Sequence, residues 1–290
     1  MCLLLTVVKF SAPRLTHVIP SSARDTGPVT AVTSVGDKVF VMRKGSQQVD
    51  VYDSVTCTFQ RRIRIHRLVR SWHVLNGGNW GLAVCAHYQC LYACELIQDR
   101  IHRVELTGSN AVKEWYVAHG PRGLSVNKAH NVVVACLEAK KIQEYTTHGT
   151  LVREIISLQN ALIDPWHAVQ LSTGDYVVSH DTSPGEVIVV GVDGRVVRRY
   201  RPSHSSDLGE MKYPTSLAVT KNDDIFVADS GNKRILSLNS SLSSAHELAL
   251  PVDSGIERPC GLCLDESRGR LYIGEGWGQC RVLVFDGVRL

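Results

Sequence analysis

One segment constrains this chain more than any other. It runs from Tyr213 to Leu250 and reads YPTSLAVTKNDDIFVADSGNKRILSLNSSLSSAHELAL. It divides into four short strands, at residues 216–219, 225–229, 234–238 and 245–250. Each is rich in apolar or β-branched residues and is ended by Gly, Asn, Asp or Ser.

The unit recurs along the chain. Residues 121–156 give PRGLSV, NVVVACL, KIQEY and LVREII, and residues 165–200 give PWHAV, DYVVSH, EVIVV and VVRRY. Residues 79–117 give NWGLAV, CLYACE, RIHRVEL and VKEWYV, and residues 28–65 give PVTAV, KVFVMR, VDVYD and FQRRIRI. Residues 259–290 give PCGLCL, RLYIGE and RVLVFDG and then stop. The starts at 28, 79, 121, 165, 214 and 259 are 42 to 51 residues apart, the period of a four-stranded propeller blade. No helical periodicity of useful length competes. The expected fold is all-β: a six-bladed β-propeller with four antiparallel strands per blade, one domain over residues 1–290. The blades fall at about 28–65, 79–117, 121–156, 165–200, 214–250 and 259–290. The last unit is one strand short, and LTVVKF (Leu5–Phe10) belongs to no unit. This N-terminal strand is expected to complete the last blade, which removes an exposed sheet edge.

The segment PTSLAVTKNDDIFVADSGNKRI resembles an NHL repeat, with its P-x-x-[IL]-A-V start and V-A-D-S-G-N-x-R-[IV] centre. The match is strong in the fifth unit, fair in the second, third and sixth, and weak in the first and fourth. Such propellers commonly end tripartite-motif (TRIM-NHL) E3 ubiquitin ligases and related RNA regulators, where they recognise substrate proteins or single-stranded RNA. No Cys/His series here has zinc-ligand spacing, and there is no coiled coil. What the resemblance implies is therefore a recognition module, not a ligase in itself.

Composition narrows the setting. A hydrophobic content of 44% allows a sizeable core, and the apolar run Leu3–Val8 is too short to span a membrane. No signal peptide is read around it. Nine scattered cysteines, an odd number, fit free thiols in a reducing compartment, so a cytoplasmic location is expected. The net charge of +4 permits an anionic partner without demanding one.

In a four-stranded blade, the loop leading into the first strand and the loop between the second and third strands share one face, here called upper. The second–third loops carry Arg43 and Lys44, Arg100, Lys140 and Lys141, Lys233 and Arg234, and Arg281 in every unit but the fourth. The lead-in loops add Trp80, Arg122, Trp166, His167, Lys212, Tyr213 and Arg258. Cations interleaved with aromatics suit single-stranded nucleic acid, and equally an acidic peptide. Some of these cations would instead be structural, with Asp229 pairing Arg234 and Glu95 pairing Arg100. A protein partner is expected first, with single-stranded RNA as the alternative, and the propeller is expected to be monomeric and free of membrane contact.

A rival reading is enzymatic. The last residues of the second strands are Arg43, Glu95, Cys136, His180, Asp229 and Glu275. Glu95, His180, Asp229 and Glu275 near the channel mouth would suit a divalent cation, as in lactonase- or gluconolactonase-type hydrolases. Arg43 in the same ring opposes a cation, so the leading expectation is a non-catalytic chain with no cofactor and no metal. Cys260 and Cys263 form a C-x-x-C, but on a strand they face opposite ways and read as core thiols. Cys90 and Cys94 lack partners at metal spacing. His66, His73, His87, His102 and His130 form no ordered set.

Overall fold

The computed structural model describes residues 12–21, 27–65, 81–108, 110–157, 162–202 and 205–288. Leu5–Phe10, His66, His73 and Trp80 lie outside them. The chain forms six antiparallel four-stranded sheets. Five are built from consecutive strands, so each blade is a simple up-and-down meander. The sixth has the order 270–275 flanked by 259–265 and 282–286, with the first of the described strands on its outer edge. That closing strand is Arg14–Ile19, paired antiparallel with Val282–Asp286.

The innermost strands are Val29–Val35, Leu82–Cys85, Pro121–Val126, Pro165–Gln170, Pro214–Val219 and Pro259–Asp265. Each contacts the next around the ring, and the last contacts the first. The second strands, such as Cys90–Glu95, Val132–Cys136 and Ile225–Asp229, are buried along their whole length. They lie between the sheets of two neighbouring blades, so they are apolar on both faces. The two faces serve different cores because side chains alternate along a strand. Phe40 and Met42 pack between blades one and two, while Val39 and Val41 pack between blades six and one. Six apolar clusters result, one at each junction between blades.

The recurring Pro-x-x-apolar start has a structural cause. Five of the six inner strands shift register within their first residues, between Val29 and Ala31, Pro121 and Leu124, Pro165 and His167, Pro214 and Leu217, and Pro259 and Gly261. Proline has no N–H to donate and is tolerated where a strand begins. The bulge that follows re-aims the next side chains. These are Thr30, Arg122, Trp166, Thr215 and Cys260, and all of them line the channel.

Two arginines lock the seam where the ring closes. At the upper face Arg43 donates to the carbonyls of Cys280, Gly27 and Pro20. At the lower face Arg270 forms a two-pronged ion pair with Asp286 and also donates to the Ser54 carbonyl.

Candidate functional site: the upper mouth of the central channel

The inner strands surround a cavity of about 530 Å³. Its walls are sewn together across blades. His167 is packed into the wall, where its Nε2 lies 3.0 Å from the Leu124 carbonyl of blade three. Its Nδ1 accepts the Leu217 N–H of blade five at 3.0 Å. That pattern requires the neutral ring with its proton on Nε2, and burial accordingly pushes the His167 pKa down. Ser216 stitches the next junction in the same way, its hydroxyl accepting the Leu262 N–H of blade six at 3.1 Å.

The upper rim carries charge and aromatic surface together. The Arg122 guanidinium stacks over the Trp166 ring, 4.5 Å from its centroid. Arg258 lies 5.8 Å from the centroid of Trp277, which is 60% exposed. Tyr213, 55% exposed, and Lys44 complete this side of the rim. Asp181 faces the same cavity. Burial, with the nearby Asp164 carboxylate adding to it, pushes the Asp181 pKa up to about 6 against the opposing pull of Arg122 and a hydrogen bond from Trp166. Burial also lowers the Arg122 pKa.

The expected cations separate into two groups. Arg258 stands exposed at the rim, and Lys140 and Lys233 on their loops. The others are engaged by the propeller. Arg122, 5% exposed, and Lys44, half-buried, line the rim and also interact with other groups of the chain. Lys141 pairs with Glu154 at 3.1 Å, Arg234 with Asp229 at 2.8 Å, and Arg281 with Glu275 at 2.9 Å. Asp229 and Arg234 are direct partners in the strand ladder, which brings their charges together. Arg100 does not pair with Glu95 as expected. It turns outward to Glu114 and the Tyr116 hydroxyl, and Glu95 meets the buried His102 at 3.1 Å. Arg43 is not a surface cation either: it is 1% exposed, drawn inward by three backbone carbonyls.

The proposed metal ligands are likewise not brought together. Asp229 and Glu275 are each held by an arginine of their own blade, and Glu95 by His102. His180 is fully buried, with no hydrogen-bond partner on either ring nitrogen among the described residues. Among those residues, no group of three or more His, Cys, Asp or Glu is arranged to hold a metal ion. Cys260 and Cys263 are half-buried on the channel wall, and Cys263 also packs against the core between blades six and one. Their thiols rest separately near Ser230 and Ser34, and burial pushes Cys263 up to about 11. No helix among the described residues is long and apolar enough to cross a membrane.

Sequence reasoning missed Trp277, Asp181 and Asp164. Trp277 sits in a second–third loop, a position that the repeat pattern marks only for cations. Asp181 fills the same loop of blade four, the unit that lacks a cation.

Fold and rim together define a six-bladed β-propeller whose inner-strand channel opens at an aromatic and charged mouth. The NHL-repeat family profile matches residues 211–236, so the chain carries an NHL repeat within this propeller. No curated protein sequence matches the chain. Solved structures share its fold at low identity. A streptogramin B lyase aligns at 14% identity with a TM-score of 0.64, covering 93% of this chain and 96% of the lyase. The hydrazine synthase of Kuenenia stuttgartiensis aligns at 16% and 0.64, covering 93% and 97%. A catalytically inactive virginiamycin B lyase from Staphylococcus aureus with quinupristin aligns at 13% and 0.65, covering 93% and 98%.

Proposed function

We propose that this chain is a non-catalytic recognition module that receives a segment of a partner protein at the upper mouth of its channel. By its NHL resemblance it would be the substrate-recognition module of a TRIM-type ubiquitin ligase or related regulator. The observation that carries the reading is the rim itself, where the stacks Arg122–Trp166 and Arg258–Trp277 stand over a cavity of about 530 Å³. Aromatic rings and arginines around a partly desolvated pocket have the composition of protein-binding hot spots.

The side chains that could do chemistry in the channel are otherwise engaged. Both nitrogens of His167 serve the backbone, and burial raises the Cys260 and Cys263 thiols away from the nucleophilic form. Single-stranded RNA is disfavoured because Arg43, Arg100, Lys141, Arg234 and Arg281 are committed to internal partners. A phosphate track needs cations free to displace counterions. The eight described cysteines are free, which supports a reducing, cytoplasmic setting.

The test is a photo-crosslinking amino acid placed at position 277, with position 192 on an exposed loop as control. Protein adducts at 277 alone, lost on Arg258→Glu, are the expected result. RNA adducts that weaken with salt and with Lys140→Glu plus Lys233→Glu would replace this reading with the nucleic-acid one.

A further inference from the structure

Charge is unevenly placed around the mouth. Lys44 of blade one and Arg258 of blade six belong to neighbouring blades, and both line the cavity. Asp181 lines it from blade four, which in a ring of six stands opposite blade one, and Asp164 of the same blade lies close enough to raise its pKa. Arg122 lies with these acids and with Glu138, so that sector holds three carboxylates and one guanidinium. Aromatic surface fills the interval: Trp166 and Tyr213 toward the acidic side, Trp277 toward the basic side.

We infer that the mouth selects a peptide segment carrying a basic and an acidic side chain with an apolar or aromatic residue between them. The basic group is directed to Asp181, and the acidic group to Lys44 and Arg258. This rests on the protein-recognition reading above. A uniformly acidic segment, or a nucleic acid, would press one end against Asp181 and Asp164. A uniformly basic one would meet Lys44 and Arg258. Like charges brought together at a partly desolvated site are strongly unfavourable, so the bipolar rim rejects both. The raised pKa of Asp181 supports the assignment. Its ionised form is under-compensated by Arg122 and the Trp166 indole, the groups that favour it, and would gain from an incoming cation.

The experiment pans a displayed random-peptide library on the full chain. Wild-type protein is expected to enrich peptides with one basic and one acidic residue flanking an aromatic or aliphatic one. Asp181→Asn is expected to lose selection for the basic residue, and Lys44→Glu with Arg258→Glu to lose selection for the acidic one. An enriched synthetic peptide should bind about tenfold more weakly to Asp181→Asn, and also to wild type as the pH falls well below 6. A single cooperative melting transition for each variant, with the Asp181→Asn midpoint at or above that of wild type, would establish that the variants are folded. Enrichment of single-sign peptides, or the same peptides on Asp181→Asn as on wild type, overturns the bipolar assignment and leaves the recognition reading standing. Failure to enrich any peptide over a Trp277→Ala control overturns both.

Discussion

The Arg43 guanidinium crosses the seam between the first and last blades and donates to the Cys280 carbonyl oxygen at 2.5 Å. With its bonds to Gly27 and Pro20, it joins blade one, blade six and the stretch that follows the closing strand. A side chain that reads as a surface cation thus belongs to the ring closure. Arg43→Met should destabilise the protein by about 2–4 kcal/mol, because three carbonyls lose a charged donor at once. Arg43→Lys should recover only some of this, since an ammonium cannot reproduce the planar fork. Urea unfolding midpoints check both. A loss below about 0.5 kcal/mol for Arg43→Met would mean that the seam is held elsewhere.

Glycine at the third position of the repeat sets how closely blades approach. A Cβ on Gly123 would overlap the Trp166 carbonyl oxygen and sit 2.6 Å from the His167 ring. On Gly261 it would meet Ala31 Cα at 3.2 Å. Gly123→Ala should therefore cost about 2–3 kcal/mol by forcing blades three and four apart, and Gly261→Ala clearly less. Thermal unfolding of the two variants side by side tests this, and equal losses would contradict it.

His180 should make the fold sensitive to acid. Burial first, then the Arg199 charge, holds its pKa down to about 3. The unfolded chain takes up this proton near pH 6.5 and the folded one does not, so stability is full above about 6.5 and declines as pH falls toward about 3. His180→Leu removes the titration and two buried unpartnered nitrogens. It should flatten the acid limb and leave stability at pH 7 unchanged or raised by about 1 kcal/mol. Unfolding measured at several pH values between 4 and 8 checks the slope. The lowered pKa of His167 acts in the same direction and should leave a residual acid limb.

These cases mark where sequence ran ahead of structure and where it fell short. The expected strands 225–229 and 234–238 coincide with Ile225–Asp229 and Arg234–Leu238, because strands buried on both faces read as unbroken apolar runs between turn residues. The outer strand expected at 245–250 is only Ala245–Glu247, since an edge strand has one neighbour and less to specify it. The closing strand is RLTHVI, half-exposed and alternating, and so less conspicuous than the apolar Leu5–Phe10 that the pattern offers for its place. Loop cations were legible, but their partners were not. Arg43 meets a carbonyl 237 residues away, and Arg100 meets Glu114 on the outer strand. Local spacing carries no trace of either.

Asp181 provides the opposite pH dependence from His180. Its folded pKa of about 6 stands above the ordinary carboxylate value of 3.8, so the folded chain holds a proton that the unfolded chain has released between those two values. Stability from this group is full below about 3.8 and is lost as pH rises through about 6. Asp181→Asn keeps the shape and removes the charge. It should therefore raise stability at pH 7 by roughly 1–2 kcal/mol, allowing for solvent screening of a half-exposed group, and by nothing at pH 4. Because Arg122 would lose a nearby carboxylate, the gain should be smaller in an Arg122-intact protein than with Arg122→Met also present. A double-mutant cycle of unfolding free energies at pH 4 and pH 7 measures both effects. A variant less stable than wild type at pH 7 would show that the Asp181 charge is compensated in the free protein, and that the mouth has no deficit for a partner's cation to fill.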